Sequence, residues 1–309
     1  MRPIRTMFLW ASTNPWISER LPRRRFAQRA VRRFMPGERL DDALAAAHEL
    51  NAAGLAATIT ELGENVDRAG TEAVVDRYLG ALKRIQREGL DCQLSVKPTH
   101  LGLDAGVDVC REALATLADR AGHAGTVLWV DMEGSAYTDA TLKLYRELRT
   151  AFPHVGVCVQ ANLRRTATDV TDLAGLLPSI RLVKGAYLER DAIAWGRKRD
   201  VDRNYLELAK TLLRDLGGSP ACRLAIATHD VRLIRSLTTE AEEMGRPRTS
   251  FEVQMLYGIR TEDQMRLAAD GFRVRVLISY GDAWFPWYMR RLAERPANVW
   301  FVARSLVSR

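Results

Sequence analysis

Cysteine is scarce and unpatterned in this chain: Cys92, Cys110, Cys158 and Cys222 are the four present, and no two form a Cys-x-x-Cys pair. That spacing argues against thiolate metal fingers, a redox dithiol and a disulfide scaffold, and three of the four sit in apolar strand-like runs that suit buried, reduced thiols. Histidine is nearly as rare. Five are spread along the chain without a His-Glu-x-x-His, so no catalytic zinc site is composed and the expected metal content is none. His229 is the only plausible triad base, and no Gly-x-Ser-x-Gly elbow precedes it, which disfavours a hydrolase. No Gly-x-Gly-x-x-Gly follows a strand and no Walker-type lysine loop occurs, so a Rossmann nucleotide site or a P-loop is not expected. No apolar run approaches the roughly 18 residues of a membrane span. The Met7–Trp10 patch is also too short for a signal-peptide core. The expected location is the cytoplasm, with peripheral contact at the inner membrane an option.

Acidic residues are missing from one end. Residues 1–33 carry nine arginines against Glu19 alone, an excess of eight that equals the whole net charge of +8, so the rest of the chain is neutral. Phe8, Leu9, Trp10, Trp16, Leu21 and Phe26 interleave with these arginines. A basic aromatic arm suits an anionic membrane surface at least as well as a nucleic-acid backbone, and nucleic acid is not the expected partner. A solvated basic helix packed on the body remains the plain alternative. Residues 1–35 are therefore read as a basic helical arm and 36–309 as one catalytic domain.

In that domain, short β-rich apolar runs alternate with segments of helical period, the pattern of parallel strands joined by crossover helices. The runs are Leu55–Ile59, Cys92–Val96, Thr126–Val130, Val155–Gln160, Ile180–Val183, Arg223–Thr228, Thr249–Gln254 and Val274–Ser279. Between them lie helical candidates such as Glu72–Glu88, Val109–Arg120, Ala140–Phe152, Asn204–Leu216, Val231–Met244 and Glu262–Asp270. Eight such units predict an α/β fold, a distorted (β/α)8 TIM barrel with N-terminal helices, with a doubly wound open sheet as the rival. Polar residues collect at the C-terminal ends of the runs: Lys97, Asp131, Glu133, Gln160, Lys184, Thr228, His229 and Gln254. In a barrel those ends share one face, where the chemistry of this fold sits.

A cationic set stands out: Lys97, Arg181, Lys184, Arg290 and Arg291. Neighbouring arginines on a helix are about 100° apart, so Arg290 and Arg291 both reach a barrel mouth only if their helix lies across it. Such a pair could clamp a carboxylate through parallel hydrogen bonds. A surface pairing with Glu294 is the alternative, and spacing does not separate the two.

Leu62-Gly63-Glu64, Ser95-Val96-Lys97, Asp131-Met132-Glu133, Gln160-Ala161, Arg181-Leu182-Val183-Lys184-Gly185-Ala186-Tyr187, Ala227-Thr228-His229, Phe251-Glu252-Val253-Gln254 and Arg290-Arg291-Leu292-Ala293-Glu294 together resemble the proline dehydrogenase family. The resemblance runs in order from about residue 36 to the C-terminus and is closest to the short monofunctional bacterial type. It implies a barrel that holds FAD without a Rossmann domain, and leaves no room for the second dehydrogenase of bifunctional relatives. It also implies oxidation of L-proline or a related cyclic amino acid to the cyclic imine, with electrons passed to a membrane quinone. On the same footing, Lys97, Arg290 and Arg291 would bind the substrate carboxylate, Asp131 would support them, Tyr187 would help close the site and Glu64 would gate it by pairing with Arg290. Gln160, Arg181, Lys184, Gly185, Thr228, His229, Gln254 and Glu294 would contact FAD.

The chain departs from the family at its last strand. Where the family reads Val-Tyr-x-Pro-Tyr-Gly, this chain reads Val276-Leu277-Ile278-Ser279-Tyr280-Gly281, so Leu277 replaces a tyrosine that packs on the substrate ring. Asn162 likewise replaces a tyrosine after Gln160-Ala161. Hydroxyproline or another proline analogue is therefore an alternative substrate, although relatives that prefer hydroxyproline carry a small polar residue at the position of Leu277. Further alternatives are a Schiff-base aldolase using Lys184 or Lys97 and a non-catalytic binding barrel.

Overall fold

Strand β1 (Ala56–Glu61) pairs in parallel with β2 (Cys92–Val96), and the series continues through β3 (Leu128–Val130), β4 (Val155–Gln160), β5 (Ser179–Val183), β6 (Leu224–Ala227), β7 (Glu252–Leu256) and β8 (Arg273–Tyr280). The last strand closes on the first, from Ala56 opposite Arg275 to Glu61 opposite Tyr280. The expected (β/α)8 barrel is therefore the observed one, and the open-sheet rival is excluded. This computed structural model describes residues 31–216, 221–285 and 288–289. Most of the basic arm, together with Arg290, Arg291 and Glu294, lies outside the described residues.

Helix α1 (Leu40–Ala52) leads into β1, and the seven crossovers each carry one α-helix: α2 (Arg68–Arg87), α3 (Val107–His123), α4 (Thr138–Ala151), α5 (Thr166–Leu173), α6 (Lys198–Leu216), α7 (Val231–Glu243) and α8 (Thr261–Ala269). The first of the crossover helices, α2, shows how sequence makes such an element. Asp67 caps its start by accepting the Gly70 N–H (2.8 Å), and Arg84 and Arg87 in the last turn oppose the helix dipole. Val74, Tyr78, Ala81, Leu82 and Ile85 recur every three or four residues and bury one stripe against the barrel.

Side chains alternate across each strand, and here the two faces differ in chemistry. In β8, Val274, Val276, Ile278 and Tyr280 join the apolar core under the helices. Arg273, Arg275, Leu277 and Ser279 take the opposite face, towards the barrel axis. Register extends that inner face through Thr58 and Gln93, which pair, and through Ser95 and Trp129, which pair next. It continues through Arg181, Ala225 and Glu252, each paired with the next. Where branched aliphatics commonly fill such an interior, this one is largely polar. Trp129 is its one large aromatic, and Gly156 makes room for it: a Cβ there would meet the indole at 2.5 Å.

The N-terminal end of the barrel is closed by charge. Arg275, whose side chain is 1% exposed, donates Nε to both oxygens of Glu252 (2.9 and 3.0 Å), Nη2 to Asp91 (3.1 Å) and Nη1 to the Ala57 carbonyl (2.6 Å). Arg273 bridges the same two carboxylates. At the far end, Val31, Phe34 and Met35 pack with Leu62, Trp284, Phe285, Tyr288 and Met289, so the last residues of the arm are anchored to the chain just before Arg290.

Removing one member of a buried ion pair leaves the other uncompensated, at about 3–5 kcal/mol. Glu252→Ala is expected to lower unfolding stability by an amount of that order in urea melts monitored by circular dichroism. A loss no larger than that of an exposed Glu→Ala control would show that Asp91 alone compensates Arg275.

Candidate active site

Two ion pairs stand towards the C-terminal ends of the strands, Lys97 with Glu64 and Arg181 with Asp131. Lys97 follows β2, and its Nζ donates to Glu64 Oε1 at 2.7 Å from the loop after β1. Asp131 follows β3 and accepts the Ser95 hydroxyl (2.9 Å) and Arg181 Nη1 (2.9 Å). Arg181 lies within β5 rather than after it, with its side chain 4% exposed and its guanidinium 4.7 Å from the Trp129 ring centroid. Nη1 also donates to Ser95 (2.8 Å), whereas Nε and Nη2 are buried with no hydrogen-bond partner. A buried guanidinium satisfied along one edge only leaves a row of strong donors for an acceptor-rich group.

Glu133 lies deeper. Its carboxylate accepts the Thr99 N–H (2.9 Å) and hydroxyl (2.7 Å), tying the end of β3 to the turn after Lys97, and burial pushes its pKa up. Gln160 at the end of β4 donates to the Glu133 carbonyl (2.8 Å). These bonds brace neighbouring strand ends and hold Lys97 and Asp131 in place.

Across the mouth, Lys184 after β5 is held by Asp202 of α6 (2.5 Å) and by Asp230 at the start of α7 (3.6 Å). Lys198 pairs with the same two carboxylates. Gly185 has a left-handed φ of 102°, and a Cβ there would meet Asn162 Oδ1 at 1.9 Å, so both conformation and space demand glycine. Asn162 continues the β4–β5 pairing through its N–H to the Lys184 carbonyl (2.9 Å) and accepts the Trp195 N–H (2.8 Å). Arg164 stacks over Trp195 at 4.0 Å. Thr228, after β6, is buried and accepts the Asp230 N–H (3.1 Å), with His229 half-buried beside it. Tyr187 is half-buried in the loop after β5.

One expectation changes in detail. Gln254 does not end its strand, because β7 runs on to Leu256; its amide faces the barrel interior and donates to Glu252 (2.7 Å). For Glu64 the described partner is Lys97, while the pairing expected with Arg290 falls outside the described residues. Leu277 is half-buried, opposite Thr58 and Leu256, with buried hydroxyls at Ser279 and Thr58 that have no hydrogen-bond partner. Ser95 and Trp129 were missed by sequence reasoning, although each sits two residues before a residue that was chosen, on the same face. Asp202 and Asp230 gave no such signal, since a helical crossover brings them to Lys184.

A cavity of about 250 Å³ lies at the opposite end of the barrel, lined by Trp129, Arg223, Phe251, Glu252 and Arg273 among others. Convergent charged groups with unfilled donors single out the C-terminal mouth instead.

The family model described as proline dehydrogenase matches residues 43–304. Proline dehydrogenase 1 of Bacillus subtilis subsp. natto is 36% identical over 307 residues, covering 99% of this chain and 100% of that protein. Proline dehydrogenase of Deinococcus radiodurans is 35% identical over 285 residues, 89% of each chain. Among solved structures, proline utilization A from Bdellovibrio bacteriovorus, inactivated by N-propargylglycine, superposes with a TM-score of 0.79 at 23% identity over 86% of this chain. This chain spans about a third of that protein's length (32%), and at that identity the likeness speaks to the fold. The family match across most of the sequence, the near full-length relatives and the closed barrel agree: this chain belongs to the proline dehydrogenase family.

Proposed function

We propose that the protein is an FAD-dependent dehydrogenase that oxidises L-proline, or a closely related cyclic amino acid, to pyrroline-5-carboxylate or the corresponding imine, and delivers the electrons to a quinone. The carrying observation is Arg181, a buried guanidinium at the barrel mouth with Nε and Nη2 unfilled. Such a group fits the oxygen- and nitrogen-rich edge of an isoalloxazine ring, and its positive charge suits a ring that gains negative charge on reduction. Gln160, Lys184, Gly185, Thr228, His229, Gln254 and Glu294 are assigned to the same cofactor on the family resemblance. When bound, FAD supplies the two-electron acceptor that takes hydride from the ring carbon beside nitrogen.

The remaining work is positional. Lys97, with Arg290 and Arg291, binds the substrate carboxylate, and Asp131 supports the cluster by holding Arg181. In the described structure the Glu64 carboxylate occupies Lys97 at 2.7 Å, the place a substrate carboxylate would take, so Glu64 acts as a stand-in that yields to substrate. Tyr187 helps to exclude water, and Leu277 contributes an aliphatic wall at the ring end. Electron delivery to a membrane quinone fits the basic aromatic arm of residues 1–35 as a peripheral contact. No helix among the described residues is long and apolar enough to cross a membrane. The aldolase alternative is weakened because Lys97 and Lys184 are both engaged as ion pairs, whereas a Schiff-base lysine needs a desolvated neutral amine.

The purified protein should be yellow or take up FAD, and anaerobic L-proline should bleach the flavin band. Protein that stays colourless with added FAD, or borohydride trapping of a keto substrate on lysine, would overturn this reading. Titrating hydroxyproline and other cyclic amino acids in parallel ranks the substrates.

Lys97→Met should raise KM for L-proline by roughly tenfold or more, the scale of a lost charged hydrogen bond of about 1.5–3 kcal/mol. Steady-state kinetics with unchanged KM would remove Lys97 from the carboxylate site.

Leu277→Tyr should raise kcat/KM for L-proline by roughly 2- to 10-fold, the equivalent of an aromatic contact of about 0.5–1.5 kcal/mol. No gain, or a loss, counts against Leu277 as the ring wall.

A further inference from the structure

The loop after β1 is pinned at both ends by backbone bonds, from the Leu62 N–H to the Tyr280 carbonyl (2.7 Å) and from the Val66 N–H to the Thr99 carbonyl (3.2 Å). Between them Asn65 takes a left-handed φ of 57° and donates its side-chain amide to Asp104 (2.6 Å). Gly63, in the same loop, lies against the ring of His100. A Cβ added at Gly63 would meet His100 at Nε2 (2.2 Å), Cδ2 (2.6 Å) and Cε1 (2.7 Å). Gly63 is not among the residues with positive φ, so the backbone does not demand glycine there; the imidazole does.

His100 is the middle residue of the 3-10 turn Thr99–Leu101, and both its N–H and that of Leu101 bond to the Lys97 carbonyl at 3.1 Å. Its ring is buried, edge-on to Tyr78 with centroids 6.3 Å apart, and Nδ1 has no hydrogen-bond partner. Burial first, then the cations of Lys97 and Arg77, lowers its pKa to about 4, so the ring is uncharged at neutral pH. An imidazole with an unused buried nitrogen contributes shape here rather than hydrogen bonds. It touches the residue before Glu64 on one side and is tied through the backbone to Lys97 on the other.

We propose that His100 is a positioning residue: its ring seats Gly63 and so sets the Glu64 carboxylate against Lys97 Nζ. The ring and glycine work as a matched pair, and the spacing between the Glu64 loop and the Lys97 turn follows from their contact. The consequence for turnover rests on the reading of Lys97 as the substrate-carboxylate cation; the seat itself does not.

The test uses the full chain with Gly63→Ala, His100→Ala and the two combined, read by amide hydrogen exchange over residues 61–67 and by KM and kcat for L-proline. Each single change is expected to speed exchange and, by loosening the Glu64 anion that competes for Lys97, to lower KM about fivefold while kcat moves less than about twofold. In the double variant the new methyl enters the space the ring has left, and both readouts should return to within about twofold of the parent. Additive effects in the double variant, or a Gly63→Ala protein with parental exchange, overturn the proposal. If Gly63→Ala yields no folded protein, folding of the double variant supports the seat and its failure to fold overturns it. A parent that does not oxidise proline would defeat the functional reading alone, since the exchange comparison still decides the seat.

Discussion

A guanidinium buried towards the mouth of a barrel has to be compensated, and Arg181 organises its surroundings accordingly. Its charge is met by Asp131 and its Nη1 is shared with the Ser95 hydroxyl. The guanidinium carbon lies over the Trp129 ring, an arrangement that combines cation–π attraction with removal of apolar surface from water. Trp129 in turn requires the missing side chain of Gly156 and anchors its indole N–H on Gln93 (2.7 Å). One buried cation therefore constrains residues on β2, β3, β4 and β5, and it leaves one edge, Nε and Nη2, unfilled.

The two ends of the barrel use the same chemistry to opposite effect. At the N-terminal end the carboxylates of Asp91 and Glu252 saturate Arg275, with Arg273 alongside, and the result is a plug. At the C-terminal end Lys97 is neutralised by a carboxylate on a loop, and Lys184 by carboxylates on two crossover helices. An ion pair made between strands is rigid because the ladder fixes both partners. One made to a loop can exchange its anion for another, which is what the proposed carboxylate site needs of Lys97. His100 then bears on catalysis without touching substrate, by setting how that loop meets its cation.

Much of the fold was legible because strand and crossover alternation is a local property. The run Cys92–Val96 and the run Val155–Gln160 coincide with β2 and β4. The Thr249–Gln254 run began too early and ended too soon, because Thr249 and Ser250 belong to a 3-10 turn and β7 continues to Leu256. That shift carried Gln254 from the mouth into the interior. Helix starts were set late wherever a polar first turn hid the boundary, as in Arg68–Arg87 and Lys198–Leu216, whose opening residues carry little apolar periodicity. Lys97, Asp131 and Arg181 were found because they follow or interrupt apolar runs. His100 and Asp230 were not, because a histidine in a loop and an aspartate at a helix cap look ordinary in one dimension.

The sequence by itself determined the order of elements, the polar character of alternate strand positions and the family to which the motifs belong, since each depends on residues close together in the chain or on their order along it. Closure of the sheet, the pairing of Glu64 with Lys97, the capture of Lys184 by Asp202 and Asp230, and the contact of Gly63 with His100 were decided only by tertiary structure. Those partners are separated by 18 to 46 residues for the side-chain contacts, and β1 and β8, which pair directly, are the first and last strands along the sequence. Local propensity carries no information about such distances, and the register of a closed parallel barrel supplies it.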